Sequence, residues 1–184
     1  MVMQERLYNV QDLELFIARP ENADRLFELI NGEIVEKMPS QLHALIANFF
    51  NAVLYLYMQN NPIGWVFSEL RVKLPDESLN DVIPDIAVVL KAGRNFEQDA
   101  PLSYMPDLVV EIQSPDQSDK FMMDKAAFYV THGAPLVWIV YPTKQLVEVF
   151  SQTERNLLTS QHTLEGGNVL PGFRLPVNDI FKSS

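Results

Sequence analysis

Cysteine is absent from this 184-residue sequence. That excludes disulfides, thiolate metal sites and cysteine nucleophiles together, and it agrees with a cytosolic protein. Long apolar runs are missing as well, since stretches such as Leu136 to Tyr141 are far too short to span a bilayer. Met1 to Glu14 carries acids and no basic-then-apolar pattern, so no export is expected. Basic residues are scarce: 14 Lys and Arg stand against 24 Asp and Glu, a formal net charge of -10. A chain so acidic lacks the broad basic surface whose counterion release drives nucleic-acid binding. If it grips phosphates, metal ions must neutralise the site and its few basic residues must cluster. No G-x-x-x-x-G-K-S/T, G-x-G-x-x-G or H-E-x-x-H occurs, so nucleotide-loop and zincin chemistries lack support.

What is present suits one domain, residues 1–184, with a substantial core: 47% of residues are apolar, and no repeat or linker interrupts them. Val10 to Arg19 reads as a short helix closed by Pro20. Phe27, Leu29, Ile34 and Val35 flank Asn31-Gly32, both of which tolerate the positive φ of a tight hairpin turn. Ser40 then offers an N-cap to a long helix whose apolar residues recur from Leu42 to Tyr57. Strands are predicted over Trp65 to Leu74, Ile83 to Leu90, Leu108 to Gln113, Leu136 to Tyr141 and Leu146 to Phe150. A second long helix, Asp116 to His132, closes on Gly133. The turn-rich tail, Gly166 to Phe173, is expected to close over a sheet edge. Strands interleaved with two long helices predict a mixed α/β (α+β) fold, a central mixed sheet flanked by helices with an N-terminal β-hairpin.

Three residues break the apolar pattern. Asp85 opens the run Ile86-Ala87-Val88-Val89-Leu90, and Glu111 sits inside Leu108-Val109-Val110-Glu111-Ile112. An ionised carboxylate in a central strand is costly unless it is paired or metal-bound. Lys125 falls within the apolar stripe Phe121, Met122, Phe128, Tyr129 of the second helix, whereas Lys120 and Asp124 lie away from its centre. Each has a plainer reading, a salt-bridged acid or a lysine snorkelling to the surface. Together, two carboxylates suit Mg²⁺, a hard cation preferring oxygen. Such an ion lowers the pKa of a bound water, and a neighbouring lysine orients that water or stabilises a pentavalent phosphate. Lys125→Met, which keeps the length and removes the charge, is expected to fold at least about as well as the unmodified chain while losing nearly all hydrolysis.

Pro84-Asp85, then Glu111-Ile112-Gln113 and a helix, resembles the PD-(D/E)XK nuclease superfamily. More closely, the chain resembles the Uma-two family of restriction-endonuclease-like proteins. The matching stretches are Phe27 to Glu36, Pro84 to Val89, Pro106 to Pro115, Lys125 to Tyr129, Val137 to Val140 and Leu170 to Phe173. The resemblance implies a restriction-endonuclease-like core in which Asp85 and Glu111 hold Mg²⁺, with Mn²⁺ able to substitute. Gln113 stands where the usual E-x-K motif has its lysine, and Lys125 on the following helix is placed to replace it. Glu33 and His43 match positions where this family often has Glu and His. Glu33 is either a further acid at the metal site or a solvent-facing hairpin acid; His43 either contacts substrate phosphate or packs. His132 suits a helix C-terminus, His162 a surface, and the face of Glu69 and Arg71 stays open.

The implied activity is Mg²⁺-dependent hydrolysis of DNA by a homodimer, the common state of superfamily nucleases that cut both strands. Two other readings compete. A degenerate member would keep the fold and bind without cutting, as the acidity and the missing motif lysine favour. An oligomeric module would pair through apolar residues of its N- and C-terminal segments.

Overall fold

A computed structural model describes residues 7–92, 94 and 97–182. In chain order its elements are α1 (Val10–Ile17), β1 (Phe27–Ile30), β2 (Glu33–Glu36), α2 (Gln41–Asn60), β3 (Gly64–Ser68), β4 (Ile86–Leu90) and β5 (Leu108–Ile112). They continue with α3 (Asp119–Thr131), β6 (Leu136–Tyr141), β7 (Leu146–Ser151), β8 (Arg155–Leu158), β9 (Thr163–Glu165), β10 (Arg174–Pro176) and α4 (Val177–Phe181). Strands β3 to β8 form one six-stranded sheet in sequential order, antiparallel throughout except for the parallel pair β5–β6 that α3 connects. This is the mixed α/β architecture predicted, with the hairpin β1–β2 beside it. No helix among the described residues is long and apolar enough to cross a membrane.

Period-two alternation divides the core between the two faces of the sheet. Ile86, Val88, Val110, Ile112, Trp138 and Val140 point to one face, where Ile46, Phe50, Leu54 and Met58 of α2 cover them. Val109, Val137 and Ile139 point to the other, under Met122, Ala126 and Tyr129 of α3. Each large side chain so buried contributes about 1.5–3 kcal/mol.

The local signals act as their chemistry dictates. Asn31 and Gly32 take positive φ (51° and 81°) at the hairpin turn. Ser40 caps α2 and Ser118 caps α3, each accepting from the amide three residues on. The hairpin is moored by Leu29, which exchanges backbone bonds of 2.9 Å with Asp81, and by Asn31, whose amide donates to Asn80 Oδ1.

The structure departs from expectation in three places. The strand predicted through Leu74 ends at Ser68, because Glu69 adopts φ 50° and turns the chain out of the ladder. Beyond β7 lies β8, a strand whose polar, exposed face gives no alternating signal. The tail covers a face rather than an edge: Leu164, Leu170, Phe173 and Phe181 are buried in the α2-side core, Phe173 stacking on Trp138 at 5.6 Å. The apolar residues of the C-terminal segment are therefore spent inside the molecule, though Leu7 and Leu15 near the N-terminus are exposed.

Candidate active site

Buried charge gathers where β4 begins and β5 ends. The register Ile86↔Val110, Ala87↔Val109, carried one residue further, sets Asp85 opposite Glu111 on the α3 face. Asp85 also replaces a ladder partner, its Oδ2 accepting from the Ile112 amide at 2.8 Å. From the middle of α3, on its buried face, Lys125 directs its ammonium at Glu111 Oε1, 2.8 Å away. Asp85, Glu111 and Lys125 are 4%, 2% and 2% exposed, so the three pattern-breaking residues meet in one buried cluster.

Four further residues complete it. Glu28, buried on β1, receives Lys125 at 3.1 and 3.2 Å and accepts from the Ile83 amide at 2.7 Å. Lys37, just after β2, donates to Asp85 Oδ1 at 2.7 Å and to the Ile83 carbonyl at 2.6 Å. Tyr129, one turn beyond Lys125, donates to Glu111 Oε1 at 2.5 Å. His43, in the first turn of α2, places Nε2 3.3 Å from Asp85 Oδ1 and Nδ1 3.2 Å from Ser114 Oγ. Three carboxylates thus face two ammonium groups around a cleft of about 40 Å³, large enough for water.

The neighbours set the ionisation. Burial alone would raise the Asp85 carboxyl, but the charge of Lys37 and the His43 ring outweigh it and hold Asp85 well below the usual carboxylate range. Glu111 is pushed up to about 7, chiefly by burial, with the charges of Asp85 and Glu28 adding to it against Lys125. Burial would lower both lysines, yet the surrounding carboxylates keep Lys37 and Lys125 above their ordinary value. The Tyr129 hydroxyl is raised well above its usual range by burial and by Glu111.

Gln113 and Glu33 stand outside this cluster. The Gln113 amide donates to the Gln117 carbonyl and to Asp119 Oδ1, both at 3.0 Å, so it braces the loop that starts α3. Glu33 is exposed on β2; the hairpin acid that enters the cluster is Glu28. Arg71 pairs with Asp81 and Glu14, away from the cleft. His132 bonds the Phe128 carbonyl at the end of α3, and exposed His162 accepts from the Thr159 amide. Glu28 carries the same signal as Glu111, an acid within the apolar run Phe27-Glu28-Leu29-Ile30. Lys37 and Ser114 lie in polar stretches that carry no such signal.

The donor set suits a hydrated hard cation. Mg²⁺ keeps several waters and takes one or two carboxylates rather than a full protein cage. Asp85 and Glu111 provide two such groups on adjacent strands, while no grouping of three or more His, Asp or Glu among the described residues is arranged as a cage.

A central mixed sheet with helices on both faces and a buried acid–lysine cluster at the strand ends defines a restriction-endonuclease-like protein. Residues 12–178 match the model of the Uma2 family, described as "Putative restriction endonuclease", and the chain belongs to that family. Among solved structures it is similar to the crystal structure of a "putative nuclease belonging to DUF820" from Anabaena variabilis. The two share 26% identity with a TM-score of 0.77, over 92% of this chain and 96% of that one. No curated protein matches.

Proposed function

We propose that the protein is a Mg²⁺-dependent endonuclease hydrolysing phosphodiester bonds of DNA in the cytoplasm, with Asp85 and Glu111 as metal ligands. The observation that carries this reading is the meeting of Asp85, Glu111 and Lys125, distant in sequence, around one cleft in a family described as restriction endonucleases. What Mg²⁺, or Mn²⁺ in its place, would supply there is a water of lowered pKa and neutralisation of charge building on the phosphoryl group. The chain's own residues do the rest. Lys125, fixed between Glu28 and Glu111, holds a positive charge beside the cleft to orient the attacking water or stabilise the pentavalent phosphate. Tyr129 pins Glu111, and the Ile112 amide pins Asp85, so neither carboxylate needs to reorient. His43 lines the same cleft, braced by Ser114, within reach of a substrate phosphate. Gln113 acts only through the loop it braces.

The working unit in this reading is a homodimer. Helix α2 has no charged residue along its length, and it leaves Leu45, Tyr55 and Leu56 exposed. In a chain of net charge -10 that uncharged face is where two copies meet without repulsion. Light scattering should give twice the chain mass, and Leu45→Glu with Leu56→Glu should give the monomer; a monomeric unmodified chain would refute it.

One observation favours a fold that binds without cutting: every carboxylate of the cluster already has a lysine partner. Plasmid DNA separates the two. Cleavage in Mg²⁺ or Mn²⁺ is expected from the unmodified chain and should disappear in Asp85→Ala and Glu111→Ala. Activity that survives in the double variant would remove the proposed mechanism, and none from the unmodified chain would favour the binding protein.

A further inference from the structure

The metal reading leaves Lys37 without a task, although Lys37 is the cation that touches Asp85. Its ammonium sits on Asp85 Oδ1 and the Ile83 carbonyl, and its side chain is 9% exposed. It springs from the short connection between β2 and α2, where the next residues, Met38 and Pro39, are exposed and line the cleft. Lys125 differs in both respects: it rises from the middle of α3 and is gripped by two carboxylates.

Charge balance forces a choice between the two. With Glu111 ionised, as metal binding requires, the three carboxylates exceed the two ammonium groups by one negative charge before the metal enters. A divalent ion turns that deficit into an excess of one positive charge, in a site with little water to screen it. The ion and Lys37 would also claim the same carboxylate. The cation held by one carboxylate on a short exposed connection moves more readily than one held by two on a helix.

Resting on the assignment of Asp85 as a metal ligand, we propose that Lys37 is a tethered counter-ion. It occupies Asp85 in the metal-free protein and yields it to the entering divalent ion, swinging its ammonium to the cleft mouth. Two consequences follow. Lys37 sets how tightly the site holds metal, because the ion must displace it. Once displaced, its compact positive charge lies at the mouth of a cleft in an otherwise acidic protein, free to meet a substrate phosphate.

Displacement is read most directly by amine acylation of the full chain, quantified by mass spectrometry, with Mn²⁺ as the only added ligand. In EDTA both Lys37 and Lys125 should be protected relative to exposed Lys120. Saturating Mn²⁺ should raise labelling of Lys37 at least severalfold and leave Lys125 protected. In parallel, calorimetry should show Lys37→Met binding Mn²⁺ about tenfold more tightly, a gain of about 1.4 kcal/mol. Lys37→Arg, which keeps the competing charge, should bind close to the unmodified chain. Labelling needs no substitution, so it decides the matter even if Lys37→Met folds poorly. If calorimetry detects Mn²⁺ binding but Lys37 stays as protected as in EDTA, the counter-ion proposal is overturned and the metal site stands. If the unmodified chain binds no Mn²⁺, the metal site itself fails and the proposal with it.

Discussion

The two faces of the central sheet use the same strands for opposite ends. On β5, Leu108, Val110 and Ile112 point into an apolar layer filled by α2, Trp138 and the C-terminal tail. Their neighbours Val109 and Glu111 point toward α3, where the apolar layer is interrupted by a buried patch of Glu28, Asp85, Glu111 and Lys125 with Lys37 at its margin. The first face gains by burial and asks nothing more of its residues than size and shape. Within the charged patch of the second, desolvation is set against pairing, with little net stability to expect from the patch itself. The patch is tolerated because apolar packing around it and across the sheet carries the fold.

The largest effect should come from breaking the apolar face. Trp138→Ala removes the largest fully buried side chain and leaves a cavity beside Phe50 and Phe173, at a cost of about 3–5 kcal/mol. Urea melts should show it equally with and without metal. A loss under 1 kcal/mol would mean that this layer does not carry the fold.

Next is Lys125→Met, which the sequence alone marks as tolerable. Because Lys125 bridges Glu28 and Glu111, Met strands two buried carboxylates, and we expect destabilisation of about 3 kcal/mol together with loss of cleavage. Adding Glu28→Gln should return part of the stability and none of the cleavage. Recovery of activity in that double variant would show that Lys125 only neutralises charge.

The pH dependence sharpens the contrast further. Glu111 titrates at an ordinary 4.5 when unfolded and at about 7 when folded, so between these values the folded state binds the extra proton. Stability in EDTA should therefore fall as pH rises from 5 to 8, by as much as about 3 kcal/mol, with the cost complete above pH 7. Glu111→Gln should flatten this slope. Asp85 acts in the opposite sense, giving stability above 3.8 that disappears as pH falls through its depressed folded value. An unmodified chain that grows more stable from pH 5 to 8 would contradict the assignment to Glu111.

The smallest effect is the gain from metal. With a Kd on the order of a millimolar, as for weak oxygen sites, ten millimolar Mn²⁺ should add about 1.4 kcal/mol, roughly 3 °C in Tm. The gain should be larger at pH 8 than at pH 6, since the ion needs the ionised Glu111. Asp85→Ala should abolish it, and KCl at matched ionic strength should not reproduce it. An equal shift in Asp85→Ala would point to binding elsewhere.

What could be read in the sequence was whatever one physical rule determines locally. Asn31-Gly32 announces a turn needing positive φ twice, and the spacing from Leu42 to Tyr57 fits only a helix. Asp85, Glu111 and Lys125 stand out because each interrupts an apolar run, a contradiction that burial must resolve. Glu28 obeys the same rule in a run of four residues, where strand ends and centres look alike. Lys37 is invisible to it, since a lysine among Glu36, Pro39 and Ser40 resembles any solvated connection. Its burial is decided by the segment around Ile83, forty-six residues away. Glu69 was equally illegible as a strand terminator, because glutamate is not a residue type that announces a positive φ.

The cluster's partners come from far apart along the chain, Lys125 and Glu28 being separated by 97 residues and Lys37 and Asp85 by 48. Contacts so distant form late, after local turns and helices, because the chain must close its longest loops to make them. During synthesis, Glu28, Lys37, His43 and Asp85 all emerge before Glu111 and Lys125, so a growing chain holds an incomplete constellation. Whatever chemistry the cluster performs is withheld until the fold is complete, and any opening that separates the hairpin from α3 withdraws it again.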